Sequence, residues 1–156
     1  MNDPRQARLL VLGSRLAPDP GTRGEVRRLA GAVRDWDALS ARAEDEGVGP
    51  LLYRTLRDEP EAVPAAALEP LRRAFLRNLA RNTVLYRELE LFLAPVRRDG
   101  LRAALTKGAR LALEVYPDLA LRPFWDVDFV VHPADWPAVR RILRGLGFEE
   151  AAGDPA

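Results

Sequence analysis

Over the first two thirds of the chain the apolar positions recur at intervals of three and four residues, the spacing that lines one face of an α-helix. Leu9, Leu10, Leu12 and Leu16 predict a helix over 5–16, closed by the turn cluster Pro18-Asp19-Pro20-Gly21. Val26, Leu29, Ala30 and Val33 predict a second over 24–34. A third, over 37–46, ends at Gly47, and a fourth, over 50–57, carries Pro50 in its first turn, where a missing N–H breaks no bond. The longest periodic stretch is 65–94, with Leu68, Leu71, Phe75, Leu79, Leu85, Leu89 and Phe92 as its apolar series. Pro95 removes the N–H that would bond Leu91, so a kink or an end is expected there, with Asp99-Gly100 as the stop. The arginines of this helix are interspersed with glutamate and read as a solvated face rather than a nucleic-acid path.

Beyond Gly100 the pattern changes to alternating strand and helix. Residues 101–106 predict a strand, 107–115 a turn and helix, and 116–125 a loop that Pro117 and Pro123 keep from coiling. A central strand over 126–131, a helix over 133–146 and the start of another strand at 147–150 follow. The class is therefore α+β, with a helical region over 1–99 and a partial mixed β-sheet flanked by helices over 100–156. The second part is short for a sheet with both faces and edges covered, which predicts a truncated copy, a fragment, or a core completed by a partner chain.

Charge and composition narrow the function classes. The formal net charge of +1 advertises no general attraction to nucleic acid or anionic membrane, so any anion site must be local. No apolar run reaches membrane-spanning length, and the absence of cysteine excludes disulfides and thiolate metal sites; a cytoplasmic protein is expected. Lys107 is the single lysine in a chain rich in arginine, and it stands immediately before Gly108.

Candidate chemistry gathers at Asp126-Val127-Asp128. Two carboxylates one residue apart on a strand share a face and repel unless a cation neutralises them. Hard oxygen ligands point to a divalent metal, Mg²⁺ foremost. Asp35-Trp36-Asp37 repeats the spacing between two helical patterns, where an aspartate caps free backbone N–H groups, and is not expected to bind metal. The apolar strand and the Lys107-Gly108 turn set the later pair apart. For the neighbours, plainer roles stand open: Gly108 as simple turn geometry, Arg122 as a surface partner of Asp118, His132 as a surface residue, and Tyr116 and Trp136 as core or rim aromatics.

The succession Lys107-Gly108-Ala109, Tyr116-Pro117-Asp118, Leu121-Arg122-Pro123 and Asp126-Val127-Asp128 with its apolar tail resembles an uncharacterised nucleotidyltransferase family of the DNA polymerase beta-like superfamily. The resemblance implies a glycine turn that holds nucleotide phosphates, an Asp-x-Asp strand that binds metal, and in-line nucleotidyl transfer. Carried onto this chain, it implies Asp126 and Asp128 as catalytic metal ligands, with Lys107, Gly108, Ala109, Arg110 and Arg122 around the nucleotide. Ala109 stands where the superfamily has Gly or Ser, and Trp125 where a small residue is usual, so its indole either crowds the site or stacks on a base. The superfamily's third acid lies on a later strand; here the final predicted strand offers only Glu149 and Glu150.

The resulting expectation is a Mg²⁺-dependent nucleotidyltransferase that takes a nucleoside triphosphate and a hydroxyl acceptor, whether small molecule, protein or RNA. The alternative is a degenerate or incomplete relative that binds nucleotide or a partner without turnover.

Overall fold

Three aspartates set where the chain first turns helical. Asp3, Asp19 and Asp35 each accept an N–H from the first turn of the helix that follows, respectively α1 (Pro4–Gly13), α2 (Pro20–Ala30) and α3 (Trp36–Asp45). Asp35 takes the Ala38 N–H at 2.9 Å, so the first Asp-x-Asp is indeed a cap. The Asp19-Pro20 step does more than close the preceding helix: with its cap and a proline in the first turn it starts α2 at Pro20 rather than at residue 24. α4 (Gly49–Leu56) and the long α5 (Ala65–Arg98) complete the helical part.

The computed structural model describes residues 3–151, so the last residues of the part expected over 100–156 lie outside the described residues. After α5 come β1 (Ala103–Leu105), α6 (Lys107–Glu114), a 3-10 turn at Leu119–Leu121, β2 (Phe129–Val131), a second 3-10 turn at Pro133–Asp135, and α7 (Trp136–Gly145). The α+β class holds, with helix dominating.

α5 runs through Pro95 to Arg98 and stops at the expected Asp99-Gly100, with Phe92 and Val96 on either side of the proline buried and holding the last turns in place. Three expectations are corrected. The two strands form a two-stranded antiparallel sheet rather than a mixed one, in the register Ala103↔Val131, Ala104↔Val130 and Leu105↔Phe129. β2 is therefore not central, and it begins at Phe129; Asp126 lies in a bend and Asp128 directly before the strand. Finally, 147–150 is no strand. Gly147, at φ +89°, turns the chain back so that the Phe148 N–H reaches the Leu143 carbonyl at 3.0 Å, and Glu150 pairs with Arg140 and Arg144 of α7.

Two packing centres share α5. Its first half closes a core with Leu9, Leu10, Val26, Leu39, Leu52 and Leu56, to which it contributes Ala67 and Leu71. Its second half contributes Leu89, Phe92 and Val96 to a core with Val139 of α7 and the inner side chains of both strands. Phe92 stacks on Phe129 with ring centroids 4.6 Å apart. The Asp135 carboxylate accepts the Arg102 N–H at 3.0 Å and its guanidinium at 2.8 Å, tying the start of α7 to β1.

Candidate active site

The site lies where β1 passes into α6 beside the segment leading into β2. The Thr106 N–H donates to the Asp128 carbonyl at 2.9 Å, and the Thr106 hydroxyl donates to the same oxygen at 3.1 Å. Two bonds from one residue thus fix the backbone of Asp128 against the entrance to α6. With its hydroxyl so engaged, Thr106 does not cap the helix, and the first-turn N–H groups of α6 keep no side-chain partner. Such a helix start favours an anion.

Lys107 follows with φ +48°, the only non-glycine positive φ among the described residues. That conformation costs a side-chain-bearing residue about 1–2 kcal/mol. It brings Nζ to 2.9 Å from Asp128 Oδ1. The hydrogen bond to Asp128, then the charge of Asp128 and more weakly that of Asp126, hold the Lys107 ammonium above the usual lysine range. Asp126 therefore lies within electrostatic reach of the same cation. The Lys107 side chain is 73% exposed, which leaves it free to leave Asp128 for another anion.

The remaining predicted residues divide by what they touch. A Cβ on Gly108 would stand 2.8 Å from the Phe124 Cβ, so its missing side chain lets α6 pack against the loop before Asp126. Ala109 is buried, and its carbonyl accepts the Tyr86 hydroxyl at 2.6 Å. Arg110 is engaged along its own helix with Glu114 at 3.0 Å. Arg122 makes no ion pair with Asp118, whose carboxylate instead caps the 3-10 turn through the Ala120 N–H at 2.8 Å. The buried Arg122 Nε has no protein partner. His132 is exposed and accepts the Ala134 N–H.

Sequence reasoning missed the residues that hold the loop. Asn78 and Asn82 are buried in the middle of α5. Asn78 Nδ2 donates to the Ala120 carbonyl at 2.6 Å, and Asn82 Nδ2 to the Leu119 and Arg122 carbonyls at 2.6 and 2.9 Å. The turn before Asp126 is thereby hung from the helix by side-chain amides. The signal was available: the chain has three asparagines, and two of them stand four apart in the longest helix.

Among the described residues no group of three or more His, Asp or Glu side chains is placed to hold a metal. Mg²⁺ does not require one, since it is usually held by one or two carboxylates while phosphate and water oxygens fill its other positions. Asp126 and Asp128 are hard oxygen donors of the kind Mg²⁺ takes, and an exposed ammonium and an uncapped helix start lie beside Asp128.

The fold is α+β, with Asp126, Asp128 and Lys107 gathered near the start of α6. The model of an uncharacterised nucleotidyltransferase family matches residues 32–156, most of the chain, and the protein belongs to that family. Its general role is nucleotidyl transfer. No curated protein and no solved structure matches the chain.

Proposed function

We propose that the protein binds a Mg²⁺–nucleoside triphosphate at Asp126, Asp128 and Lys107 and transfers the nucleoside monophosphate to a hydroxyl acceptor. The observation that supports this most is the 2.9 Å pair of Lys107 and Asp128 at the uncapped head of α6. It joins one cation and one carboxylate at a helix whose first-turn N–H groups have no side-chain cap.

In the transfer, the acceptor oxygen bonds to the α-phosphorus as the bond from that phosphorus to its bridging oxygen breaks and pyrophosphate leaves. Bound Mg²⁺ would neutralise charge on the phosphates and the leaving group. Lys107 exchanges Asp128 for a phosphate oxygen, and the α6 N–H groups orient the phosphates. Asp126, which makes no hydrogen bond among the described residues, is the carboxylate open to the metal, and the acceptor proton passes to solvent. Arg122 is the second cation close to the loop, with its buried Nε unpaired.

Calorimetric titration with a nucleoside triphosphate and Mg²⁺ tests the reading. Saturable binding by the natural protein, lost in the Asp126→Asn, Asp128→Asn double variant, is expected; equal affinity in both proteins would refute the carboxylates' role. A second reading, binding without turnover, is favoured because among the described residues no third acid joins the pair in a group placed to hold a metal. Transfer of label from an α-labelled triphosphate to any acceptor would eliminate it.

A further inference from the structure

Trp125, one residue before Asp126, is 75% exposed, yet its indole is held in place. The Arg81 guanidinium covers the ring with its carbon 3.6 Å from the ring centroid. Arg81 is itself fixed, because Nη2 donates to Asn78 Oδ1 while Asn78 Nδ2 is bonded to the Ala120 carbonyl. Burial without an acidic partner, together with the neighbouring charge of Arg77, lowers its proton affinity. A large aromatic surface is thus anchored through the helix that suspends the loop, at the edge of the acidic site.

Two depressions meet at this ring. A smaller one of about 190 Å³ contains Arg77, Asn78 and Arg81. A larger one of about 460 Å³ contains Asp126, Val127, Leu89, Phe92 and Phe129. Trp125 is the residue common to both, with the stacked Arg81 in the lining of the smaller and Asp126 in that of the larger. The larger depression is floored by apolar side chains and edged by Glu88, Asp126 and Glu149, with no lysine or arginine in its lining. It repels phosphate and suits a flat, neutral, partly apolar group with N–H donors. Lys107, by contrast, supplies the cation on the Asp128 side. A nucleotide has the same two ends, an anionic tail and a neutral aromatic base.

We propose that Trp125 is a stacking platform for the nucleobase, set in place by Arg81, with the base entering the depression beside Asp126 while the phosphates face Lys107. The proposal rests on the nucleotide-site reading above. Stacking needs only the π-face of a base, so it contributes affinity with little preference among the four.

The test uses the full chain with Trp36→Phe and Trp136→Phe, leaving Trp125 as the fluorescent reporter. It is titrated with ATP and with inorganic tripolyphosphate, each with Mg²⁺, beside Trp125→Ala and Trp125→Phe in the natural background. ATP is expected to quench Trp125 and tripolyphosphate to leave it unchanged. Trp125→Ala should bind ATP roughly tenfold or more weakly, bind tripolyphosphate as the natural protein does, and melt at an unchanged temperature because the ring is exposed. Trp125→Phe should recover most of the ATP affinity. Equal ATP affinity of the natural protein and Trp125→Ala, with tripolyphosphate still bound, overturns the stacking role and leaves the nucleotide-site reading standing. Failure of the natural protein to bind either ligand overturns both.

Discussion

Lys107 is the residue on which the proposed chemistry turns, and being the sole lysine it can be observed directly. Its ammonium is held above the ordinary lysine range by Asp128. Because the folded value exceeds the unfolded one, the pair's contribution to stability is complete below the ordinary lysine range and fades as pH rises through the raised value. Nζ titration by NMR should therefore give a midpoint above that of an ordinary lysine, and Asp128→Asn should bring it down; no response to that substitution would show the pair to be absent in solution. Gly108 makes a different demand. A methyl there meets the Phe124 Cβ, which the backbone holds and no rotamer change removes, so Gly108→Ala is expected to cost about 1–3 kcal/mol. Denaturant unfolding would measure it. The sequence marks Lys107, Gly108 and the two aspartates as one group, but it does not show that the glycine serves an aromatic neighbour. That use depends on where Phe124 comes to rest, a contact between segments that local spacing does not encode.

At the scale of elements, the readable signals were those carried by adjacent residues. Aspartate caps start the first three helices, and each of Gly47, Gly100 and Gly147 adopts a positive φ just beyond a helix. In all three cases the following residue's N–H reaches back to a carbonyl in the last turn: Val48 to Ala43, Leu101 to Val96 and Phe148 to Leu143. At Gly147 this same device defeats the strand expected from the Phe148-Glu149-Glu150 run. The shortening of β2 has a related cause. Its partner β1 is confined between the end of α5 and the entrance to α6, so the ladder admits three pairs. The Asn78 and Asn82 attachments were unreadable as pairs, since their partners are backbone carbonyls about forty positions away. Asn82→Ala would strip two carbonyls of their donor and is expected to cost about 2–3 kcal/mol. It should also weaken nucleotide binding, since the loop it releases carries Asp126. Full nucleotide affinity in a variant destabilised by that amount would show that the loop keeps its shape unaided.

For the whole molecule, α5 is the member common to both packing centres and to the site. Its first half is buried among the helices, its second half against the sheet and α7, and its middle holds the loop that presents Trp125 and Asp126. The near-zero net charge fits this plan, because the site needs only a local separation of Lys107 from the acid-edged depression. No helix among the described residues is long and apolar enough to cross a membrane. The α+β class was readable from the change of periodicity at Gly100, as was the end of α5 at Asp99-Gly100, while its continuity through Pro95 depends on burial of Phe92 and Val96 by other elements.

Paramagnetic broadening of the lone lysine by Mn²⁺ and a nucleoside triphosphate asks most directly whether a metal–nucleotide complex sits on the carboxylate pair. The Lys107 side-chain resonance should vanish at stoichiometric Mn²⁺–nucleotide in the natural protein and persist in the Asp126→Asn, Asp128→Asn variant. A resonance that stays sharp in the natural protein, or broadens equally in both, would contradict the site.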